Sequence, residues 1–244
     1  MRGLILAVQF LTRLPTPQLA DFRPEWLAAS ARWFPAVGLI IGALLLAAMR
    51  LGAQVDPWLA ALLALLAWVA VTGGLHLDGL ADLSDALGAA HRSRERFFEV
   101  LKDPHLGSFG VLSLLLAVIA KLVLLMLIAR GGSPAWGLLL VPAWARAFAV
   151  FWSATLPALA PGSGERFAWR KDWAGMALNG AALMALSAWL APALLLAPLA
   201  GLAWRAYLQR KLGGMTGDCL GAGVEVCEIA LLGLLLCRAA PHLA

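Results

Sequence analysis

Residues Phe109–Ala129 read FGVLSLLLAVIAKLVLLMLIA, with Lys121 as the sole charge. At about 1.5 Å per helical residue, such a run crosses the roughly 30 Å hydrocarbon core of a bilayer. Similar apolar runs lie at Phe34–Leu51, Trp58–Thr72, Trp136–Leu156, Gly175–Leu190, Pro192–Trp204 and Val226–Ala239. The whole chain is 62% hydrophobic and 14% charged, with a mean hydropathy of +0.83. Soluble domains carry about 45–50% apolar and about 25% charged residues. The reading is an all-α, polytopic integral membrane helical bundle of about seven transmembrane helices, one domain over residues 1–244. The fifth and sixth spans are separated only by Ala191 and Pro192, and Pro198 interrupts the sixth. They form either a tight hairpin or one kinked helix. Gly3–Leu11 resembles a signal peptide, but Arg13, Leu14 and Pro15 follow it in place of a cleavage site, so it reads as a retained amphipathic or re-entrant segment.

The bases report orientation. With the N-terminus in the cytoplasm, Arg2, Arg13, Arg23, Arg32, Arg92, Arg94, Arg96, Lys102, Arg166, Arg170, Lys171, Arg205, Arg210 and Lys211 face the cytoplasm. Only Arg50, Arg130 and Arg238 face outward, while Lys121 and Arg146 lie within spans. This is the positive-inside pattern, and it explains the net charge of +5 better than nucleic-acid binding does. Both polar stretches capable of chemistry, residues 73–108 and 205–225, fall on the cytoplasmic side. Cys219, Cys227 and Cys237 contain no CxxC pair and read as small apolar side chains.

The first polar stretch contains GGLHLDGLADLSD, residues Gly73–Asp85. On a helix, Asp78, Asp82 and Asp85 share one face. Like charges at that spacing repel, and Mg²⁺ is the usual partner of carboxylates that handle phosphate. His76 sits inside the cluster. Asp103 and His105 follow in KDPHLGSFG, where Asp103 is a further candidate ligand and His105 a phosphate contact or a loop cap. The second stretch, KLGGMTGDCLGAGVEVCE at Lys211–Glu228, places Asp218 and Glu225 two helical turns apart, with Glu228 one turn further. Its glycines favour close helix approach or backbone contact with phosphate. Acids and bases inside spans are expensive: Lys121 and Arg146 could each snorkel to an interface, but both lie near mid-span, which for Lys121 favours an acidic or phosphate partner. The alternative reading of each cluster is a solvated acidic face or a small-residue packing face.

Asp78-Gly79-x-x-Asp82-x-x-Asp85 loosely resembles the aspartate motif of CDP-alcohol phosphotransferases, without their Ala-Arg pair in place. A closer resemblance runs along nearly the whole chain. TRLPTP at Thr12–Pro17, FPAVG at Phe34–Gly38, GGLHLDGLADLSDAL at Gly73–Leu87 and KDPHLGSFGV at Lys102–Val111 resemble the cobalamin synthase (adenosylcobinamide-GDP ribazoletransferase) family. So do AK at Ala120–Lys121, AR at Ala145–Arg146 and LGGMTGDCLGAGVEVCE at Leu212–Glu228. Lys102 and Pro104 depart from the Arg and small polar residue expected there.

The resemblance implies transfer of α-ribazole, or its 5′-phosphate, onto adenosylcobinamide-GDP. GMP is released and adenosylcobalamin or its phosphate forms, a phosphotransferase-type reaction of cobalamin (vitamin B12) biosynthesis with Mg²⁺ as cofactor. It also implies a multi-pass protein of the bacterial cytoplasmic (inner) membrane. The expected partners are the two substrates and the bilayer, without nucleic acid. A homo-oligomer and contacts with other cobalamin-assembly enzymes are compatible with it. The expected roles are Asp78, Asp82, Asp85 and Asp218 on Mg²⁺, and His76, Asp82 and Glu225 in catalysis. Lys102, Asp103, His105, Lys121, Arg146, Lys211, Gly214 and Thr216 are expected at substrate or phosphate. A secondary transporter, with the acids as a cation pathway, is the alternative from another class.

Overall fold

The computed structural model describes residues 2–18, 24–89, 93–131, 135–169 and 171–237. Arg23, Arg92, Arg170, Arg238 and Ala239, assigned sides or spans above, lie outside them. Helix α1 (Arg2–Leu11) is short and apolar and buries Leu6, Ala7 and Leu11 on one face, as an amphipathic segment should. After α2 (Pro24–Ser30) and a 3-10 turn, α3 (Phe34–Gly52) crosses the bundle. Helix α4 (Pro57–Thr72) starts on Asp56, whose side chain accepts the N–H groups of Trp58 and Leu59, with Pro57 preset for the first turn.

Between α4 and α5 (Leu75–Ala89) the chain turns by 84°. Gly73 and Gly74 make this possible, with φ of 61° and 72°, a left-handed backbone that a side chain resists. At 1.5 Å per residue α5 is only about 22 Å long, too short to span, and it runs across the line of α4. Next come α6 (Arg94–Val100), α7 (Ser108–Arg130), α8 (Val141–Thr155), α9 (Ser163–Ala168), α10 (Trp173–Leu190), α11 (Ala197–Lys211) and α12 (Gly217–Leu236). Among the described residues the extended pairing is one isolated bridge, Ala158 with Met215.

The protein is therefore an all-α, multi-pass membrane bundle. Among the described residues, five helical stretches are long and apolar enough to cross: Glu25–Gly52, Ser108–Arg130, Trp136–Thr155, Trp173–Leu190 and Gly217–Leu236. The bent pair α4–α5 makes a sixth if counted as one span. The expected span Pro192–Trp204 is instead a 3-10 turn, Pro192–Leu196, leading into α11. Pro192 and Pro198 break the helical ladder there, and α11 ends in Arg205, Arg210 and Lys211. Helix α12 packs against α5, α7, α8 and α11 and forms the centre of the bundle. In contrast, the spans α7 and α10 are only 17% and 11% buried, so most of their surface faces outward from the bundle.

Candidate active site

The site begins where α5 and α12 meet without side chains between them. A Cβ on Gly79 would stand 3.1 Å from the Cα of Asp218, and one on Gly221 would stand 3.5 Å from the Cα atoms of Gly79 and His76. This backbone-to-backbone packing brings Asp78 and Asp82 of one polar stretch beside Asp218 of the other. The three carboxylates sense one another. Partial burial, then the charges of Asp78, Asp218 and Asp85, push the Asp82 carboxyl up to about 6. Among the described residues, no Lys or Arg forms an ion pair with Asp78, Asp82 or Asp218.

A cavity of about 130 Å³ opens beside them, lined by His76, Asp78, Gly79, Gly217, Asp218 and Gly221, with Asp82 one helical turn behind Asp78 and outside the lining. Its apolar wall includes Phe10, Phe34 and Phe167, whose ring centroids lie 5.0–6.0 Å apart in stacked and edge-on pairs. Thr216 caps α12 by accepting the Cys219 N–H at 3.3 Å, and its hydroxyl donates to Asp218 Oδ2 at 3.4 Å. Gly214 is buried against the Pro157 carbonyl, and Met215 N–H donates to that carbonyl at 2.9 Å. Its place is explained by loop packing.

Asp85 has a different task. Its two oxygens accept the N–H groups of Gly107 at 2.8 Å and Gly110 at 2.9 Å. It thereby satisfies the open N-terminus of α7 and ties the Lys102–Gly107 loop to the acid helix. In that loop Asp103 accepts both the backbone and the ring N–H of His105, at 3.0 and 2.7 Å, which holds its carboxyl below the usual range. Lys102, Asp103, His105 and Lys211 are all exposed.

Deeper on α12 lies a second charged cluster. Glu225 is seven residues beyond Asp218, about 10 Å along the axis. It is buried, and its Oε2 is 2.7 Å from Lys121 Nζ. Glu228 pairs with Lys121 at 2.5 Å and also with Arg146. Lys121 Nζ stands 4.2 Å over the Trp68 ring. Arg146 Nη2 approaches His76 Nδ1 at 3.3 Å. Two buried cations are balanced by two buried anions. Lys121 and Arg146, expected at substrate phosphate, are thus occupied by glutamates, and Glu225 lies outside the acid cavity's lining. Glu228 and Trp68 were missed as partners. Two bases in apolar runs required two acids at the same depth, and the Glu225–Glu228 spacing carried that signal.

An arginine only donates, so His76 Nδ1 accepts and Nε2 carries the proton. Burial, then the Arg146 and Lys121 charges, hold this imidazole neutral with its pKa well below the usual value. His76 is therefore a donor in this arrangement.

Among the described residues, no three His, Cys, Asp or Glu side chains are close enough to share one metal ion as they stand. That disfavours an all-protein cage. Mg²⁺ differs, because it binds through one or two carboxylates and completes its shell with water and substrate phosphates. The hard oxygen donors of Asp78 and Asp218, which line the cavity without a basic ion-pair partner among the described residues, suit it.

Residues 3–236 match the family described as cobalamin-5-phosphate synthase. The chain belongs to this family. Family members named adenosylcobinamide-GDP ribazoletransferase are similar along nearly their whole length. The one from Laribacter hongkongensis is 63% identical over 232 residues, covering 95% of each chain. That from Thiobacillus denitrificans is 52% identical, covering 95% of this chain and 94% of its own. That from Novosphingobium aromaticivorans is 50% identical, covering 95% of each. No solved structure matches the chain.

Proposed function

We propose that the cavity between α5 and α12 is the active site of an adenosylcobinamide-GDP ribazoletransferase working on the cytoplasmic side of a bacterial inner membrane. The observation that carries this reading is the glycine contact that merges two acidic motifs, distant in sequence, into one site. Family membership supports the substrates, and the positive-inside pattern supports the side.

The donor is a diphosphate, and its charge must be offset before a hydroxyl can attack. Asp78 and Asp218, the two carboxylates that line the cavity, would hold Mg²⁺ together with water and substrate oxygens, and the bound ion would neutralise the diphosphate and favour departure of GMP. The ribose hydroxyl of α-ribazole, or of its 5′-phosphate, forms a new bond to the phosphorus attached to the cobinamide arm. The bond from that phosphorus to the GMP oxygen breaks. Asp82 takes the hydroxyl proton, since a carboxyl lifted to about 6 is matched to neutral pH. His76 donates from Nε2 to a phosphate oxygen. Lys102 and Lys211 attract the diphosphate at the rim, while Thr216 orients Asp218. Lys121, Arg146, Glu225 and Glu228 hold α5, α7, α8 and α12 in register.

The test supplies adenosylcobinamide-GDP, α-ribazole and Mg²⁺ to the purified protein in liposomes and measures GMP and cobalamin. Product that requires Mg²⁺ and is lost in Asp82→Asn supports the reading. No product from folded wild-type protein refutes it.

A further inference from the structure

A second, larger cleft of about 500 Å³ lies among the α2–α3 turn, α8, α10 and α11. Its walls include Trp33, Trp144, Phe148, Phe151 and Phe167. Its polar groups are Arg32, Lys171, Asp172 and Asn179, near the start of α10. These are largely engaged with one another. Arg32 stands 3.8 Å from Asp172, and Asn179 donates to the Arg32 carbonyl at 3.0 Å. The Trp144 indole N–H is used by Ser187 at 3.0 Å, which leaves its ring as apolar wall. Val150 and Phe167 line both this cleft and the acid cavity, so the two are separated by one layer of side chains.

We propose that the cleft binds the apolar two-ring base of the nucleoside acceptor and presents its ribose past Val150 and Phe167 to the acid cavity. This rests on the function proposed above. The size suits a nucleoside-sized molecule, since small-ligand sites run roughly 300–1,000 Å³ and are mostly apolar with a few polar groups. A methylated benzimidazole gains from the aromatic walls and asks for few hydrogen bonds. Guanine carries several donors and acceptors, and walls whose polar groups are already engaged would leave them unsatisfied. The corrin ring is too large. A lipid chain would use the apolar walls but gains nothing from continuity with the carboxylates.

Gly180 lines the cleft, and a Cβ there meets nothing within 4 Å, so a side chain can grow into the space without a clash at its base. The experiment measures the KM of each substrate, and α-ribazole binding by equilibrium dialysis, for wild type, Gly180→Phe and Leu178→Phe in nanodiscs. Leu178 is 70% exposed on the same helix and controls for added bulk. The expected result is at least a tenfold rise in KM for α-ribazole and loss of its binding in Gly180→Phe, with KM for adenosylcobinamide-GDP within twofold. Leu178→Phe should behave as wild type. If Gly180→Phe does not assemble, Ala147→Phe fills the same space from α8 and is read identically. Unchanged α-ribazole KM in a folded filled variant overturns the proposal. So does a rise for the corrinoid instead, or a co-purified lipid that saturating α-ribazole fails to displace. Inactive wild type would refute the functional reading itself, whereas active wild type with an indifferent filled variant refutes only the cleft.

Discussion

Helix α12 carries two charged regions about two turns apart, and they are built on opposite principles. At its start, Asp218 joins Asp78 and Asp82 in a group without a basic ion-pair partner among the described residues. Deeper in, Glu225 and Glu228 are matched against Lys121 and Arg146. Burying a charge without a partner costs several kcal/mol, so the deep region must be balanced. The rim can tolerate imbalance because water reaches it. Unbalanced charge is therefore kept beside an open cavity, and balanced charge deep in the packed helices.

This contrast can be broken by substitution. Asp82→Asn should lower transfer on the order of a thousandfold, the scale of losing a proton acceptor, while the helix content and elution profile stay wild-type. Near-normal GMP release would remove Asp82 from the chemistry. Glu228→Gln should act in the other way. It leaves Lys121 and Arg146 sharing one acid, and losing one member of a buried pair costs about 3–5 kcal/mol. Thermal unfolding in detergent should show a large drop. Replacing all four charges together, with Lys121→Met, Arg146→Met, Glu225→Leu and Glu228→Leu, should recover most of it, and failure to recover would mean that the network does more than balance charge.

Two smaller effects sharpen the comparison. The Asp82 carboxyl is raised, so the folded state binds a proton more readily than the unfolded chain. Repulsion thus weakens metal-free protein above pH 6 and fades as pH falls toward 4. Asp82→Asn, neutral throughout, should then be more stable than wild type at pH 7 without Mg²⁺. After discounting for solvent screening the gain is about 1 kcal/mol, or about 2–4 °C in Tm. A lower Tm for the variant would contradict the repulsion. Protons should also compete with Mg²⁺, so the half-activating Mg²⁺ concentration should rise several-fold between pH 7 and pH 5. A flat response would place the metal away from Asp82.

The architecture was legible because bilayer thickness imposes a length on apolar runs, and Phe34, Phe109, Trp136 and Gly175 head runs that the structure preserves. In Pro192–Trp204 the breaks at Pro192 and Pro198 were legible, but not that they divide the run into a 3-10 turn and the start of α11. The acid site was legible as two motifs, but their union depends on Gly79 meeting Gly221, a tertiary contact that local spacing cannot report. Asp85 shows the same limit. Its carboxylate looks like a third ligand in sequence, yet its partners are backbone N–H groups 22 and 25 residues away. The larger cleft left no motif, because Trp and Phe in an apolar chain look alike whether they face lipid, core or ligand.

The central position of α12 also sets a timetable. A chain is made from its N-terminus, so Lys121 and Arg146 enter the membrane before their acids exist, and Glu228 follows Lys121 by 107 residues. Until α12 arrives, both bases must remain near water or lipid phosphate at the surface. Asp218 arrives on that same helix. The step that draws the two cations inward is thus the step that completes the acid cavity, and a nascent chain without α12 holds only the α5 half of the site.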